Sequence, residues 1–234
     1  DSDSTRQKFS HDASMFELVP EVVVAPKNAD DVKKLVSYVA SKKGESNISL
    51  TVRSGGTCMS GGSINDSIVL DFGKYFTNIY EVTSTSGHAQ PGVFYRDFEK
   101  ATLEHDAVMP SYPASRDLCT IGGMVANNAG GERSLQYGKT EQFVESLKVV
   151  LADGNEYEMN KLSKPELDAK MAQDTFECKL YRDVFELVDT NYDEIKAAKP
   201  HVSKDSTGYH LWDVWDRETG VFDITRLIVG SQGT

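Results

Sequence analysis

The 234-residue sequence is poor in the features that mark the special protein classes. It has three cysteines, Cys58, Cys119 and Cys178, odd in number and widely spaced. Such a set gives no C-x-x-C metal or redox pair and fits reduced thiols in a cytosolic compartment. Positive charge is short, with 25 Lys and Arg against 36 Asp and Glu and a formal net charge of −11. That balance argues against a nucleic-acid partner or an anionic membrane surface, which need clustered cations. No apolar run approaches the ~20 residues of a transmembrane segment. No signal-peptide pattern opens the chain, and an earlier removed leader stays open. The five histidines (His11, His88, His105, His201, His210) show no H-x-x-x-H spacing. No metal site and no catalytic residue is therefore assigned. His210 and Asp205 could pass for an acid/base pair, but surface or packing roles are the expectation for both.

What the chain does have is glycine in one place. Val52-Arg53-Ser54-Gly55-Gly56-Thr57-Cys58-Met59-Ser60-Gly61-Gly62 packs four glycines and three small hydroxyl residues into eleven positions, just after the apolar run Ile48, Leu50, Val52. Glycine admits positive φ and removes the side chain that would keep a ligand from the peptide N–H groups. A concave run of such groups is an anion site, most often for phosphate. A plain flexible loop between strands is the alternative, and glycine count alone leaves it open. Gly56 to Ser63 is one residue away from a Walker A loop, but Gly62 stands where the phosphate-reaching Lys belongs, so an ATPase or GTPase is rejected. Nor is it G-x-G-x-x-G. A cradle without lysine suits a ligand whose phosphates are held but not reacted, such as a dinucleotide.

Taken in order, residues 1–20 read as an extended arm. Glu21 to Ala25 reads as a buried strand ended by Pro26. Asn28 caps a helix with Val32, Leu35, Val36 and Val39 at helical spacing, and Gly44 ends it. Ile48 to Val52 is the next strand. Strand, helix, strand in ~30 residues is a βαβ unit, so these two strands are expected parallel, with the glycine loop at a strand's carboxyl end, where α/β sheets place ligands. Ser67 to Asp71 closes a first, smaller lobe. Strands follow at Asn78 to Thr83 and before the Pro91-Gly92 turn, then a helix marked by Phe94, Phe98 and Ala101. Phe143 to Leu151 and Glu156 to Met159 form a hairpin about Asp153-Gly154. Residues 160–178 read as a surface insertion, and Tyr181 to about Ala198 as a helix. Trp212 and Trp215 are assigned to packing. Arg226 to Val229 reads as an apolar strand before the turn Gly230-Ser231-Gln232-Gly233-Thr234, an ending that looks cut from a longer protein.

A second unusual stretch is Thr120-Ile121-Gly122-Gly123-Met124-Val125-Ala126-Asn127-Asn128-Ala129-Gly130-Gly131, with nothing large and nothing charged. Thr120 can cap a short helix whose bald face is Gly122, Gly123 and Ala126. Close approach to a flat or extended ligand is one reading, with Asn127 or Asn128 as hydrogen-bond partner. Tight helix–helix packing is the other.

Together these segments resemble the flavin-binding domain of the vanillyl-alcohol oxidase / PCMH superfamily, and within it the FAD-linked 2-hydroxyacid dehydrogenases of the D-lactate dehydrogenase and glycolate oxidase FAD-subunit kind. The likeness runs in order through Phe9-Ser10-His11-Asp12-Ala13-Ser14, Val22 to Pro26, Arg53 to Gly62, Gln90-Pro91-Gly92-Val93, Thr120 to Gly131, Tyr137-Gly138, Val150 to Gly154, Ser206-Thr207-Gly208-Tyr209 and Gly230 to Thr234. It implies an α+β fold of two FAD-binding subdomains: a small βαβ-containing lobe with the N-terminal arm over 1–76, and a larger mixed or antiparallel sheet with helices over 77–234. It implies FAD held by Arg53 to Gly62 at the pyrophosphate and lined by Thr120 to Gly131, by Pro91 and Gly92, and by Pro113, Ala114 and Ser115. Ile228 and Val229 would lie where the family's last strand passes the adenine end.

Two departures matter. Thr57 stands where some members carry a flavin-bonded histidine, so the FAD is expected to be non-covalent. Gln232 replaces a common Glu. The family's substrate half, with its acid/base residues, lies beyond the final turn and is absent here. The expected activity is hydride transfer from a 2-hydroxy acid such as D-lactate or glycolate to FAD, with this chain alone inactive or nearly so and the electron acceptor unspecified. A standalone FAD-binding module is the alternative, as is an oxidase of the same superfamily acting on an alcohol or sugar. The expected location is cytoplasmic, with peripheral association with the inner membrane left open.

Overall fold

A computed structural model describes residues 2–45, 47–202, 205–206 and 208–232. Lys204 and Thr207 of the 204–211 loop, and Gly233 and Thr234 of the closing turn, lie outside the described residues.

The first sheet is parallel and three-stranded. Strands β1 (Val22–Val24), β2 (Leu50–Arg53) and β3 (Ile68–Asp71) run in the order β1-β3-β2. β1 and β2 are parallel, as expected, but not adjacent. β3 takes the centre because Ile68, Val69 and Leu70 form an unbroken apolar run buried on both faces. The helix before β1, α1 (Asp3–Lys8), corrects the expectation of an extended arm. The Ser2 hydroxyl accepts from the Thr5 N–H, Asp3 sits in the first turn and Arg6 and Lys8 in the last, so cap and dipole both favour it. Helix α2 (Ala29–Ser41) begins as read, with Asn28 Oδ1 accepting from the Asp31 N–H.

A two-stranded antiparallel ribbon, β4 (Ile79–Val82) with β5 (Gly87–Ala89), leads into α3 (Tyr95–Leu103). Short helices α4 (Ile121–Ala126) and α5 (Ser134–Tyr137) follow, the second ended by Gly138 at φ +86°. The last sheet is antiparallel, in the order β6-β7-β9-β8, formed by β6 (Ser146–Val150), β7 (Glu156–Ser163), β8 (Trp215–Asp216) and β9 (Val221–Asp223). Helices α6 (Lys164–Met171), α7 (Phe176–Thr190) and α8 (Tyr192–Ala197) cover it. The main core lies there, built from Met159, Leu167, Tyr181, Val188, Val214, Trp215, Phe222 and Ile224. No helix among the described residues is long and apolar enough to cross a membrane.

Three more readings need correction. Residues 160–178 are not a surface insertion: β7 runs on to Ser163, and a capping box between Ser163 and Glu166 starts α6. Leu167 and Cys178 are fully buried, two inward positions that the polar average of the segment conceals. The helix after Tyr181 is two helices, parted at Asn191. Arg226 to Val229 is not a strand. Asp223 Oδ1 accepts from the Thr225 N–H at 3.1 Å and its Oδ2 pairs with Arg226 Nε at 3.1 Å, which starts α9 (Thr225–Ile228). A short apolar run does not by itself distinguish strand from helix.

The β6–β7 hairpin turn of the last sheet reaches helix α2. Gly154 has φ +78°, and a Cβ there would strike Ser37 Oγ and lie 3.3 Å from Lys33 O. Gly154→Ala is expected to destabilise the protein by about 2–3 kcal/mol, from left-handed strain and steric clash together. Adding Ser37→Ala should restore about 1 kcal/mol. Urea unfolding of the single and double variants checks both values, and strict additivity would place the contact elsewhere.

Candidate functional site

Strand β2 ends at Arg53 and delivers the glycine loop to the second half of the chain. Gly55 meets it backbone to backbone: a Cβ at Gly55 would lie 2.8 Å from Leu118 O and 3.4 Å from Thr120 N. Ser54 Oγ lies 2.5 Å from Thr120 Oγ1, and Thr120 Oγ1 also accepts from the Gly123 N–H at 3.3 Å. One buried hydroxyl therefore starts α4 and fastens the loop to it. On the far side of α4, the Gly122 N–H donates to Pro91 O at 2.9 Å, where a Cβ would be 2.9 Å from that same oxygen. The Gly92 N–H donates to Phe76 O at 2.8 Å. Gly131 packs on Tyr112 O and Pro113. Gly230 and Gln232 donate to Val125 O and Ala126 O at 2.9 and 2.8 Å, closing the end of α4. Gln232 Oε1 lies 3.3 Å from where a Gly62 Cβ would stand.

The residues singled out in sequence thus converge. Arg53 to Gly62, Pro91-Gly92, Pro113 to Ser115, Thr120 to Gly131 and the turn at 230–232 form one cluster around α4. The N–H groups of Gly55, Gly56 and Thr57 have no hydrogen-bond partner among the described residues. Gly56 and Gly61 have φ of +63° and +81°, so the loop's turns depend on glycine. Arg53 folds back beneath Gly56, with Nη2 2.6 Å from where a Gly56 Cβ would be. Burial lowers the Arg53 pKa, while Asp12 and Asp71 work the other way. Burial pushes the Cys119 thiol up to about 11, which makes it an inert core residue.

Some predicted residues are placed otherwise. Asn128 is buried with its amide spent on Glu141: Nδ2 donates to Oε2 at 2.6 Å, and Oδ1 accepts from the Glu141 N–H at 3.1 Å. Its side chain is not available to a ligand, whereas Asn127 is exposed. Ile228 and Val229 sit at the end of helix α9, not on a strand passing a ligand. His210 is not on the surface. It is buried with Nδ1 2.8 Å from Glu141 Oε2 and Nε2 3.4 Å from Asp205 Oδ2. Glu141 was not singled out from the sequence, because a lone acid in a polar stretch carries no signal of burial. Two surface hollows lie away from the cluster. One, of about 570 Å³, lies between α2 and the hairpin turn. The other, of about 280 Å³, is lined by Lys196, Lys199, Trp212 and Arg226.

The chain is similar to known proteins. The family described as FAD binding domain matches residues 20–160, more than half of the chain. The D-2-hydroxyglutarate dehydrogenase of Escherichia coli (strain K12) is 28% identical over 98% of this chain and 23% of its own length. The glycolate oxidase subunit GlcD of Bacillus subtilis (strain 168) is 32% identical over 66% of this chain and 33% of its own. The D-lactate dehydrogenase of Archaeoglobus fulgidus is 34% identical over 57% of this chain and 29% of its own. The chain spans about a quarter of the length of the dehydrogenases it matches most fully. Among solved structures, an alkyldihydroxyacetonephosphate synthase superposes with a TM-score of 0.59 at 19% identity, over 68% of this chain and 32% of that one. A 6-hydroxy-D-nicotine oxidase from Arthrobacter nicotinovorans superposes with 0.58 at 24%, over 68% and 34%. These two likenesses show the fold alone.

Thr120 is the residue on which the cluster turns. Thr120→Val keeps its shape and removes the hydroxyl, and is expected to cost about 1–2 kcal/mol in urea unfolding, with Thr120→Ser retaining most of the stability. Equal losses in the two variants would mean that packing, not the hydroxyl, holds the loop.

Proposed function

The chain belongs to the FAD binding domain family, and we propose that it is the cofactor-holding part of a flavin-dependent oxidoreductase that oxidises a 2-hydroxy acid. Its fold is the α+β FAD-binding PCMH type and its cofactor is FAD. We propose further that residues 1–76 and 77–234 act as the two FAD-binding subdomains. The observation that carries the reading is the seating of Ser54 and Gly55 on Thr120, which joins the two glycine-rich stretches along one line.

The residues fit the group. Gly55, Gly56 and Thr57 offer N–H donors without a partner among the described residues, and a side chain at Gly55 or Gly56 would strike Leu118 O or the Arg53 guanidinium and push the loop out of this shape. Each N–H donated to a phosphate oxygen contributes about 1.5–3 kcal/mol, as for hydrogen bonds to charged groups. Thr57 offers no imidazole for a covalent bond, so attachment is non-covalent. Gln232 turns a neutral amide toward Gly62, which keeps a carboxylate from facing the phosphates. Gly122 and Gly123 are spent on close packing against Pro91 and Thr120, which leaves exposed Asn127 at the end of α4 as the hydrogen-bond partner for an extended cofactor. When bound, FAD supplies the acceptor for the hydride leaving the substrate Cα. Acid/base groups for the substrate hydroxyl are not assigned on this chain. The substrate class follows the relatives, whose names are those of D-2-hydroxyglutarate and D-lactate dehydrogenases and a glycolate oxidase subunit.

The purified chain is expected to show flavin absorbance and to release intact FAD on heating, identified by mass spectrometry of the supernatant. Flavin retained on the denatured polypeptide would overturn non-covalent attachment. Gly56→Val should lower the flavin-to-protein ratio at least about tenfold in a folded protein, the equivalent of about 1.4 kcal/mol. Normal flavin content in that variant would sink the assignment of the loop. Anaerobic addition of D-lactate, glycolate or D-2-hydroxyglutarate to the full-length protein should bleach its visible absorbance, and silence with all three would redirect the search to alcohols and sugars.

A further inference from the structure

Residues 3–19 are built against the back of the glycine loop. The arm is a structure of its own: α1, then a turn closed by the Leu18 N–H donating to Ser10 O at 3.0 Å and by His11 paired with Glu17 at 3.3 Å. Ser10 is wholly buried in it. Four separate contacts then join arm to loop. The Ala13 N–H donates to Cys58 O at 3.1 Å. Ser63 Oγ donates to Asp12 Oδ2 at 3.2 Å. Arg53 Nη1 donates to Phe9 O at 3.3 Å, and the same guanidinium faces the Phe9 ring at 5.2 Å. The Phe16 ring lies 3.1 Å from where a Gly61 Cβ would stand. These contacts fall at Arg53, Cys58, Gly61 and Ser63, so they fix the loop at both ends and at two points between. A glycine-rich loop has many accessible shapes, and a concave arrangement of N–H groups is only one of them. Without a rigid support the loop would have to be ordered by the ligand at the ligand's expense.

Resting on the FAD reading above, we infer that this arm is the template of the phosphate cradle, and that Phe9, Asp12 and Arg53 are positioning residues that hold the loop open for a pyrophosphate. Arg53 acts from behind. Its guanidinium is enclosed by the Phe9 ring, Phe9 O and the underside of Gly56, with Asp12 and Asp71 supplying countercharge. Asp12 is the matching anchor. Burial opposes its ionisation, yet hydrogen bonds from Ser14 and Ser63 hold its carboxyl below the usual carboxylate range.

The test uses Asp12→Ala, and Ser63→Ala as the milder variant that removes only the bridging hydroxyl. Cys58 is buried beneath the arm and reports its release, while Cys178 is buried on α7 and reports global unfolding; Cys119 borders Gly55 and is not used as a control. Iodoacetamide labelling, read peptide by peptide, should be about tenfold faster at Cys58 and unchanged at Cys178, as for a local opening. Dissociation constants for FAD and for ADP should both rise about tenfold in Asp12→Ala, while any uptake of riboflavin, which lacks the pyrophosphate, stays as it was. Equal weakening of riboflavin and ADP, or faster Cys58 labelling with unchanged FAD and ADP affinity, overturns the inference. So does unchanged labelling at Cys58. If the unaltered chain binds neither FAD nor ADP, the cofactor reading fails on its own, and the labelling rates still decide whether the arm holds the loop.

Discussion

Two backbones have to touch for this site to exist. Gly55 lies against Leu118 O and Thr120 N, at a distance that no side chain tolerates, and the Ser54–Thr120 hydroxyl pair holds it there. Everything on the loop side follows from that contact. Because β2 and β3 place Arg53 and Asp71 side by side, the loop leaves the sheet at a set angle. Because Thr120 is both cap and clasp, α4 starts where the loop lands. Gly122 then packs on Pro91 and Gly131 on Tyr112, so the same helix brings the β5–α3 turn and the 112–115 loop to the same place. Glycine at these positions serves close approach more than flexibility. Of those three, none needs positive φ, and each lies within 3 Å of a neighbouring backbone if given a Cβ.

This explains which parts were legible in the sequence. Runs such as Val22–Val24 and Ile68–Leu70 announce strands because their burial is uniform. The Asn28 and Thr120 caps announce helices because the chemistry is local. The glycine stretches could be read as close-approach segments for the same reason. Sheet order was not legible: that β3 lies between β1 and β2 depends on which run is buried on both faces, a property of the assembled lobe. Nor were α6 and the start of α7: the Ser163–Glu166 box was present in the sequence, but the fully buried positions were single residues, Leu167 on α6 and Cys178 on α7, in a polar segment. The Arg226–Val229 error has the same root. Four apolar or amphipathic residues fit a strand or a single helical turn equally, and the deciding group, Asp223, lies outside the run.

The polar cluster behind α4 shows how a residue can match a pattern and serve another end. Asn128 has φ +44°, a strained conformation for any residue but glycine, though least so for asparagine and aspartate. Its amide makes a reciprocal pair with Glu141, and Glu141 in turn stands against His210. A buried carboxylate needs such partners, since removing one strands the charge at a cost of several kcal/mol. The cluster therefore fixes where α4 ends, and Gly230, which packs on Asn128, fixes the closing turn to the same point. The reading that made Asn128 a ligand candidate took an uncharged amide among small residues for a free one, whereas here it is buried and spent on Glu141.

Charge completes the argument. A chain with a net charge of −11 is a poor host for an anionic cofactor if long-range attraction is the means. The glycine loop carries one cation, Arg53, and Asp12 and Asp71 offset it at short range. On the proposed reading, what is left to hold a pyrophosphate is the peptide N–H group, a fixed dipole whose worth depends on direction and not on net charge. Direction is the one thing a glycine-rich loop cannot supply for itself. The arm behind it, with α4 in front and Arg53 between them, supplies that direction. It follows that attraction in this site is short-ranged and weakly sensitive to ionic strength, because screening acts on separated exposed charges far more than on donors in contact with the oxygen they hold.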